Sequence, residues 1–220
     1  MTYLRIFTMK PFTRTYTKPE NVFTGVGNRD APKGALWLGF HISERLYKLG
    51  YTLRSGGAEG MDEAFYQGCA KRAEVYPPWA NFNGFRLEHV VPTAAFKLAE
   101  EIITPEVYNH PKRAKSYKLL HARNMQEVLG PYCDPDHKSD FLICYTRDGC
   151  TGAQTRTIDT GGTASAILCA EKFNLEVINL FHSGWAETLG VYTGHDFFPL
   201  QQEFYKIFGT NEERSLFQGI

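Results

Sequence analysis

No stretch of this 220-residue sequence contains the roughly 18 consecutive apolar residues that a membrane-spanning helix requires, so no membrane partner is expected. The amino-terminal segment MTYLRIFTMKPFTRTYTKPE lacks the long apolar core of a secretory signal, which makes cytoplasmic residence the expectation. Neither sign of charge is in excess: 24 Lys and Arg balance 24 Asp and Glu. That neutrality weighs against a strongly electropositive, sequence-independent DNA binder. It leaves room for a local patch. KRAKSYK (Lys112 to Lys118) concentrates four cations, although the plainer reading of such a run is a solvated helix face. The five cysteines (Cys69, Cys133, Cys144, Cys150, Cys169) include no CxxC pair. An odd count without ligand spacing predicts reduced thiols and no structural metal. Cys69, Cys144 and Cys169 lie in apolar surroundings and read as small core residues, whereas Cys150 lies in a loop. The histidines form no metal constellation: His41 falls on the first helix, His121 just before Arg123, and His182 at the end of the last strand. No nucleophile–base–acid set stands out, so neither catalytic residues nor a cofactor is expected.

What the sequence does hold is a globular composition, 43% hydrophobic and 22% charged, with no internal repeat or low-complexity linker. One domain is expected. It comprises an arm over 1–20, a core over 21–182 with an irregular insertion at about 79–120, and an extension over 183–220 that packs back on the core. Val22 and Phe23 open a short buried strand that ends in the loop TGVGNRDAP. Between Pro32 and Leu49, Ala35, Leu38, Ile42, Leu46 and Leu49 recur at three- and four-residue steps, as a core-facing helix requires. Pro32 suits its first turn and Gly50 its end. Tyr51 to Leu53 reads as a second strand, Met61 to Ala73 as a second helix, and AEVYPP as a third strand stopped by two prolines. Later, FLICY (Phe141 to Tyr145) is a continuous apolar run suited to a strand buried on both faces. A helical face follows between Gly162 and Phe173, and then the strand EVINLF (Glu176 to Phe181). Further helices are expected around Ala94 to Ile103, Ser116 to Leu129 and Leu200 to Phe208. Strands alternating with helices predict an α/β fold with a mainly parallel, doubly wound sheet and helices on both faces.

Three glycine-bearing loops stand where strands hand over to helices: TGVGNR (Thr24 to Arg29), SGGAEG (Ser55 to Gly60) and DTGGTAS (Asp159 to Ser165). Ligands of open parallel sheets bind beyond the carboxyl ends of the strands. Glycine lets backbone approach a ligand, and the next helix offers unpaired N–H groups to an anion. The alternative is packing, since small residues also let a helix lie close to the sheet. Taken together, the loops favour a phosphate-bearing ligand. Gly25, Gly27, Asn28, Arg29, Gly56, Gly57, Ala58, Glu59, Gly60, Gly161, Gly162, Thr163 and Ser165 are its candidate contacts. Asp62, in the first turn of the second helix, suits backbone N–H acceptance.

The ordered set TGVGNR, RSGGAEGMDEAFYQGC, HARNMQEVLG and DTGGTASAILCAEKFNLEVINL resembles the Rossmann-like (SLOG) superfamily shared by the DNA-processing protein DprA and the LOG nucleotide hydrolases. The matching positions are Gly25, Gly27 and Arg29; Gly60, Met61 and Asp62; Arg123 and Asn124; and Gly161 to Ala166. The resemblance spans roughly residues 20 to 182 and implies a Rossmann-like fold. It also implies a role for Arg123 and Asn124 in ligand binding. LOG hydrolases place a glutamate where this sequence has Leu168, which removes that route to base release. DprA binds single-stranded DNA, and Lys112, Arg113, Lys115 and Lys118 with Trp79, Phe82 or Phe85 would supply such a surface here. The aromatics of WANFNGF serve equally well as a small core beneath a loop.

Three readings therefore stand at the level of sequence. The first is a binder of a nucleotide or nucleotide-derived phosphate compound, an ADP-ribose-like or cyclic nucleotide signal among them. In that reading Arg29 and Arg123 hold phosphates and Trp79 or Phe82 covers a base. The second is a DprA-like single-stranded DNA binder. The third is a nucleoside 5'-monophosphate phosphoribohydrolase with a rearranged acid, Glu59 or Asp62. A homodimer or higher homo-oligomer is the expected assembly.

Overall fold

A computed structural model describes residues 16–104, 108–109 and 114–209. Most of the expected amino-terminal arm, and Lys112 and Arg113 of the basic run, lie outside the described residues. Twelve strands and α-helices follow one another along the described chain: β1 (Val22–Gly27), α1 (Lys33–Lys48), β2 (Thr52–Ser55), α2 (Met61–Cys69), β3 (Ala73–Val75), α3 (Thr93–Ile103), α4 (Lys115–Leu129), β4 (Phe141–Tyr145), α5 (Ala164–Lys172), β5 (Glu176–Asn179), α6 (Trp185–Thr193) and α7 (Phe198–Phe208).

The strands form one sheet in the order β3-β2-β1-β4-β5, and every pairing is parallel. The expected α/β, Rossmann-like architecture is what the chain adopts. Side chains alternate across each strand, so one sheet builds two cores. Phe23, Leu53, Phe141, Ile143 and Ile178 face α1, α2, α6 and α7. Val26, Leu142 and Cys144 face α3, α4 and α5. Phe23 and Phe141 stack across adjacent strands with ring centroids 6.3 Å apart. Each such fully buried ring contributes about 1.5–3 kcal/mol of transfer free energy. FLICY is buried at every position, which accounts for its unbroken apolar run.

Helix α1 spans the expected residues, with Pro32 at its amino-terminal cap and Leu38, Ile42 and Leu46 fully buried. Helix α2 is shorter than expected. It ends at Cys69 and tightens into a 3₁₀ turn over Ala70–Arg72 before β3. Strand β5 stops at Asn179 rather than Phe181, because the Asn179 side chain turns the chain by accepting from the Phe181 amide (3.1 Å). Helix α6 was not legible in the sequence: glycines at 184, 190 and 194 punctuate it, yet Trp185 and Leu189 lie four residues apart and are buried. Cys69, Cys144, Cys150 and Cys169 are all buried and unpaired, so the loop position of Cys150 does not expose it. Among the described residues, no helix is long and apolar enough to cross a membrane and no cluster of His, Cys, Asp and Glu is suited to a metal ion.

Candidate functional site

Strand β1 pairs with β2 on one side and β4 on the other. Helix α1, after β1, packs on one face of the sheet, while α5, after β4, packs on the other. The connections diverge there, and the carboxyl rim at such a divergence is the usual ligand position of open parallel sheets. All three glycine loops lie on this rim, following β1, β2 and β4.

Asn28 ties them together. Its backbone N–H donates to Tyr145 O (3.1 Å) and its carbonyl accepts from the Met61 N–H (3.3 Å). Its side-chain Nδ2 donates to Asp159 O (3.3 Å). Its Oδ1 is buried and has no hydrogen-bond partner. Beside it, Gly60 sits at φ +82°, and a Cβ there would lie 2.2 Å from Arg29 O. Only glycine meets both demands. The Arg29 side chain is exposed and makes no hydrogen bond or ion pair among the described residues. The neighbouring Asp30 is paired instead with Arg147 of the β4–α5 connection.

The first two glycine loops are packed rather than open. A Cβ at Gly25 would strike Phe65, and one at Gly27 would strike Met61 (2.7 Å each), so these residues let α2 lie against β1. A Cβ at Gly57 would lie 2.6 Å from the Phe85 ring, and Asn83 Nδ2 donates to Gly57 O (3.0 Å). The loop bearing WANFNGF thus folds down over SGGAEG, and Gly56, Gly57 and Ala58 are buried. Phe82 is buried, Phe85 meets Tyr66 edge-on (4.9 Å), and Trp79 stays 38% exposed against Phe82 (5.1 Å). Of the backbone cradle expected at Gly57 to Gly60, the space beside Gly57 is therefore taken by the Phe85 ring, while Gly60 abuts the Arg29 backbone. Of that loop only Glu59 is exposed.

Arg123 requires the clearest correction. It belongs to α4, is 5% exposed, and points beneath the β2–α2 turn instead of towards solvent. Its Nη1 pairs with Glu127 one helical turn on and lies 3.5 Å from Asp62 Oδ2. Asp62 also accepts from the Ala58 N–H (3.3 Å), as its place in the first helical turn suggested. Burial pushes both carboxyls above their ordinary range. For Asp62 the guanidinium and the Ala58 amide oppose that rise. Glu127 is pushed up to about 8, chiefly by burial, with the Asp62 charge adding and Arg123 opposing. The Arg123 fork is thus committed to two internal acids and is not presented to a phosphate. Glu127 did not figure among the expected site residues, although its four-residue spacing from Arg123 was the available signal.

The third turn is open. Gly161, at φ +62°, has only Asn28 Nδ2 near its absent side chain (3.9 Å), and Gly162 has nothing within 4 Å. Both are exposed, at the entry to α5. Asn124 Nδ2 donates to Gly162 O (3.0 Å) and to Ser165 Oγ (2.8 Å), and His121 Nδ1 meets the same hydroxyl (2.9 Å). Ser165 is buried by these contacts and braces the turn from behind. Thr163, though largely buried, makes no side-chain hydrogen bond among the described residues. Asp148 anchors the preceding loop by accepting from Thr157 N (3.1 Å), Thr157 Oγ1 (2.7 Å) and Thr160 Oγ1. Burial alone would raise its carboxyl, but the hydroxyl and amide donors outweigh that and hold it well below the usual range. Leu168 lies one turn further along α5 and is half-buried.

The basic run is not a free surface throughout: Lys115 is exposed, but Lys118 bonds to Asn109 and lies over the Tyr108 ring (5.2 Å). A groove of about 420 Å³ lies away from this rim, beside β5, and is lined by Glu171, Glu176 and Tyr192 among others. No protein-family model matches the sequence, and no curated protein matches it. Among solved structures, the chain is similar to that of DNA processing protein A from Helicobacter pylori, described for its single-stranded DNA binding mode. The two share 20% identity over 86% of this chain and 80% of that one, with a TM-score of 0.48.

Proposed function

We propose that the rim between β1 and β4 binds the phosphate of a nucleotide or nucleotide-derived compound. The observation that carries this reading is the exposed Gly161–Gly162 turn at the entry to α5, with no side chain packed over it. Backbone N–H groups at a helix entry and the partial positive charge there favour an anion. Arg29 adds an uncommitted guanidinium suited to bidentate phosphate contact. The Thr163 hydroxyl and the Asn28 side chain stand beside the turn, and the unmatched Asn28 Oδ1 suits a donor on sugar or base. The rim is of mixed sign, since Asp30, Glu59 and Asp159 are exposed alongside Arg29, Arg147 and Arg156. Mixed charge suits one phosphate flanked by hydroxyls better than a long polyanion.

A single-stranded DNA reading draws on one further feature, the exposed Trp79 at the edge of the loop covering SGGAEG, where a base would stack. Thermal unfolding with a panel of mononucleotides, ADP-ribose and cyclic nucleotides tests the first reading. A ligand at a hundred times its Kd stabilises the fold by about 2.7 kcal/mol. If no nucleotide raises the melting temperature while oligonucleotides shift in a gel with steep salt dependence, the DNA reading replaces it.

A further inference from the structure

The two acids beneath the β2–α2 turn share a single cation. Asp62, Arg123 and Glu127 are each at most 5% exposed, and among the described residues no other charged side chain joins the cluster. Arg54 of β2, the nearest cation on an adjoining strand, is committed to Glu74 (2.8 Å) and to His137 O (2.6 Å). From α5 the group that faces Glu127 is the Cys169 thiol, itself held neutral by burial. Two ionised carboxylates would leave an uncompensated buried negative charge, which a protein avoids by retaining a proton. The guanidinium lies directly under Gly56, and Asp62 holds the Ala58 N–H, so the cluster's protonation acts on the turn's own backbone.

We propose that Asp62, Arg123 and Glu127 form a proton-dependent latch on the β2–α2 turn, with acid tightening the turn and rising pH loosening it. With one carboxyl protonated, the cluster is neutral and the turn closes over the guanidinium. Opening admits water, the acid returns to its ordinary affinity, and the proton leaves. Opening therefore grows easier as pH rises from the ordinary glutamate range towards about 8 and levels off above it. The latch is independent of which ligand occupies the neighbouring rim.

Amide hydrogen exchange on the full chain between pH 5 and 9 tests it, each rate being divided by the intrinsic exchange rate at that pH. In the wild type, the opening constant at Gly56 to Ala58 rises by up to about tenfold per pH unit below pH 8, the slope of one released proton, and then flattens. Glu127→Gln keeps the side chain's shape and removes the titration, so its profile is flat. Should that variant fail to fold, Asp62→Asn serves the same purpose, since it too leaves one acid with one cation and its profile is flat by the same charge count. A flat wild-type profile overturns the proposal. So does an equal slope at the β4 amides of Leu142 and Ile143, which would mark global unfolding instead of a local latch.

Discussion

The Arg123 guanidinium fills the space that a side chain at position 56 would need: a Cβ on Gly56 would lie 0.8 Å from Arg123 Nη1 and 2.1 Å from Glu127 Oε1. A glycine that reads as a ligand-facing hinge is thus the roof of an internal ion cluster.

Gly56→Ala is expected to destabilise the fold by about 3 kcal/mol, because overpacking is added to disturbance of a buried ion pair. Gly162→Ala, with open space around it, is expected to stay within about 0.5 kcal/mol of the parent. Urea unfolding midpoints separate the two. Equal shifts would remove the distinction drawn between the closed and open turns.

Arg123→Met leaves two buried acids without their cation and is expected to cost about 3–5 kcal/mol near neutral pH. The cost is smaller at pH 5 than at pH 8. The sign follows from proton counting: an acid whose affinity is raised on folding binds more protons folded than unfolded above its ordinary range, so stability declines with rising pH there. Removing the guanidinium lifts the affinities further and steepens that decline. Stability curves for both proteins at the two pH values check this, and a larger loss at pH 5 would contradict it.

Asp148 behaves in the opposite sense. Its carboxyl is held low by the donors of Thr157 and Thr160, so its contribution is present above the ordinary aspartate range and fades as acid protonates it. Asp148→Asn is expected to lose about 1–2 kcal/mol at pH 7, and its gap to the wild type narrows as pH falls below the ordinary aspartate value of about 4. Proteolytic nicking between residues 147 and 163 at neutral pH should increase in the variant.

Arg29→Ala separates binding from folding. The side chain is exposed and unpaired among the described residues, so stability should change by less than about 0.5 kcal/mol. Nucleotide affinity, read from ligand-induced stabilisation, should drop about tenfold, the equivalent of one charge-assisted contact. Unchanged affinity would move the phosphate away from Arg29.

Much of this architecture was written locally. The periodicity from Ala35 to Leu46 set α1, the unbroken FLICY run set a central strand, and alternating strand and helix patterns set a parallel sheet with helices on both faces. Each depends on which neighbours along the chain share a face, and that is a short-range property. The rim was legible for the same reason, since glycines mark the strand-to-helix turns. What the glycines are for was not. Gly25, Gly57 and Gly162 look alike in sequence, yet one accommodates Phe65, one lies under Phe85, and one faces open space. Arg123 likewise reads as a phosphate-holding cation until α4 is laid beneath β2, where Asp62, 61 positions earlier, meets its fork. Contacts between residues so far apart are decided by how elements pack. Only the tertiary structure brings together the charges and rings that close one turn and leave another open.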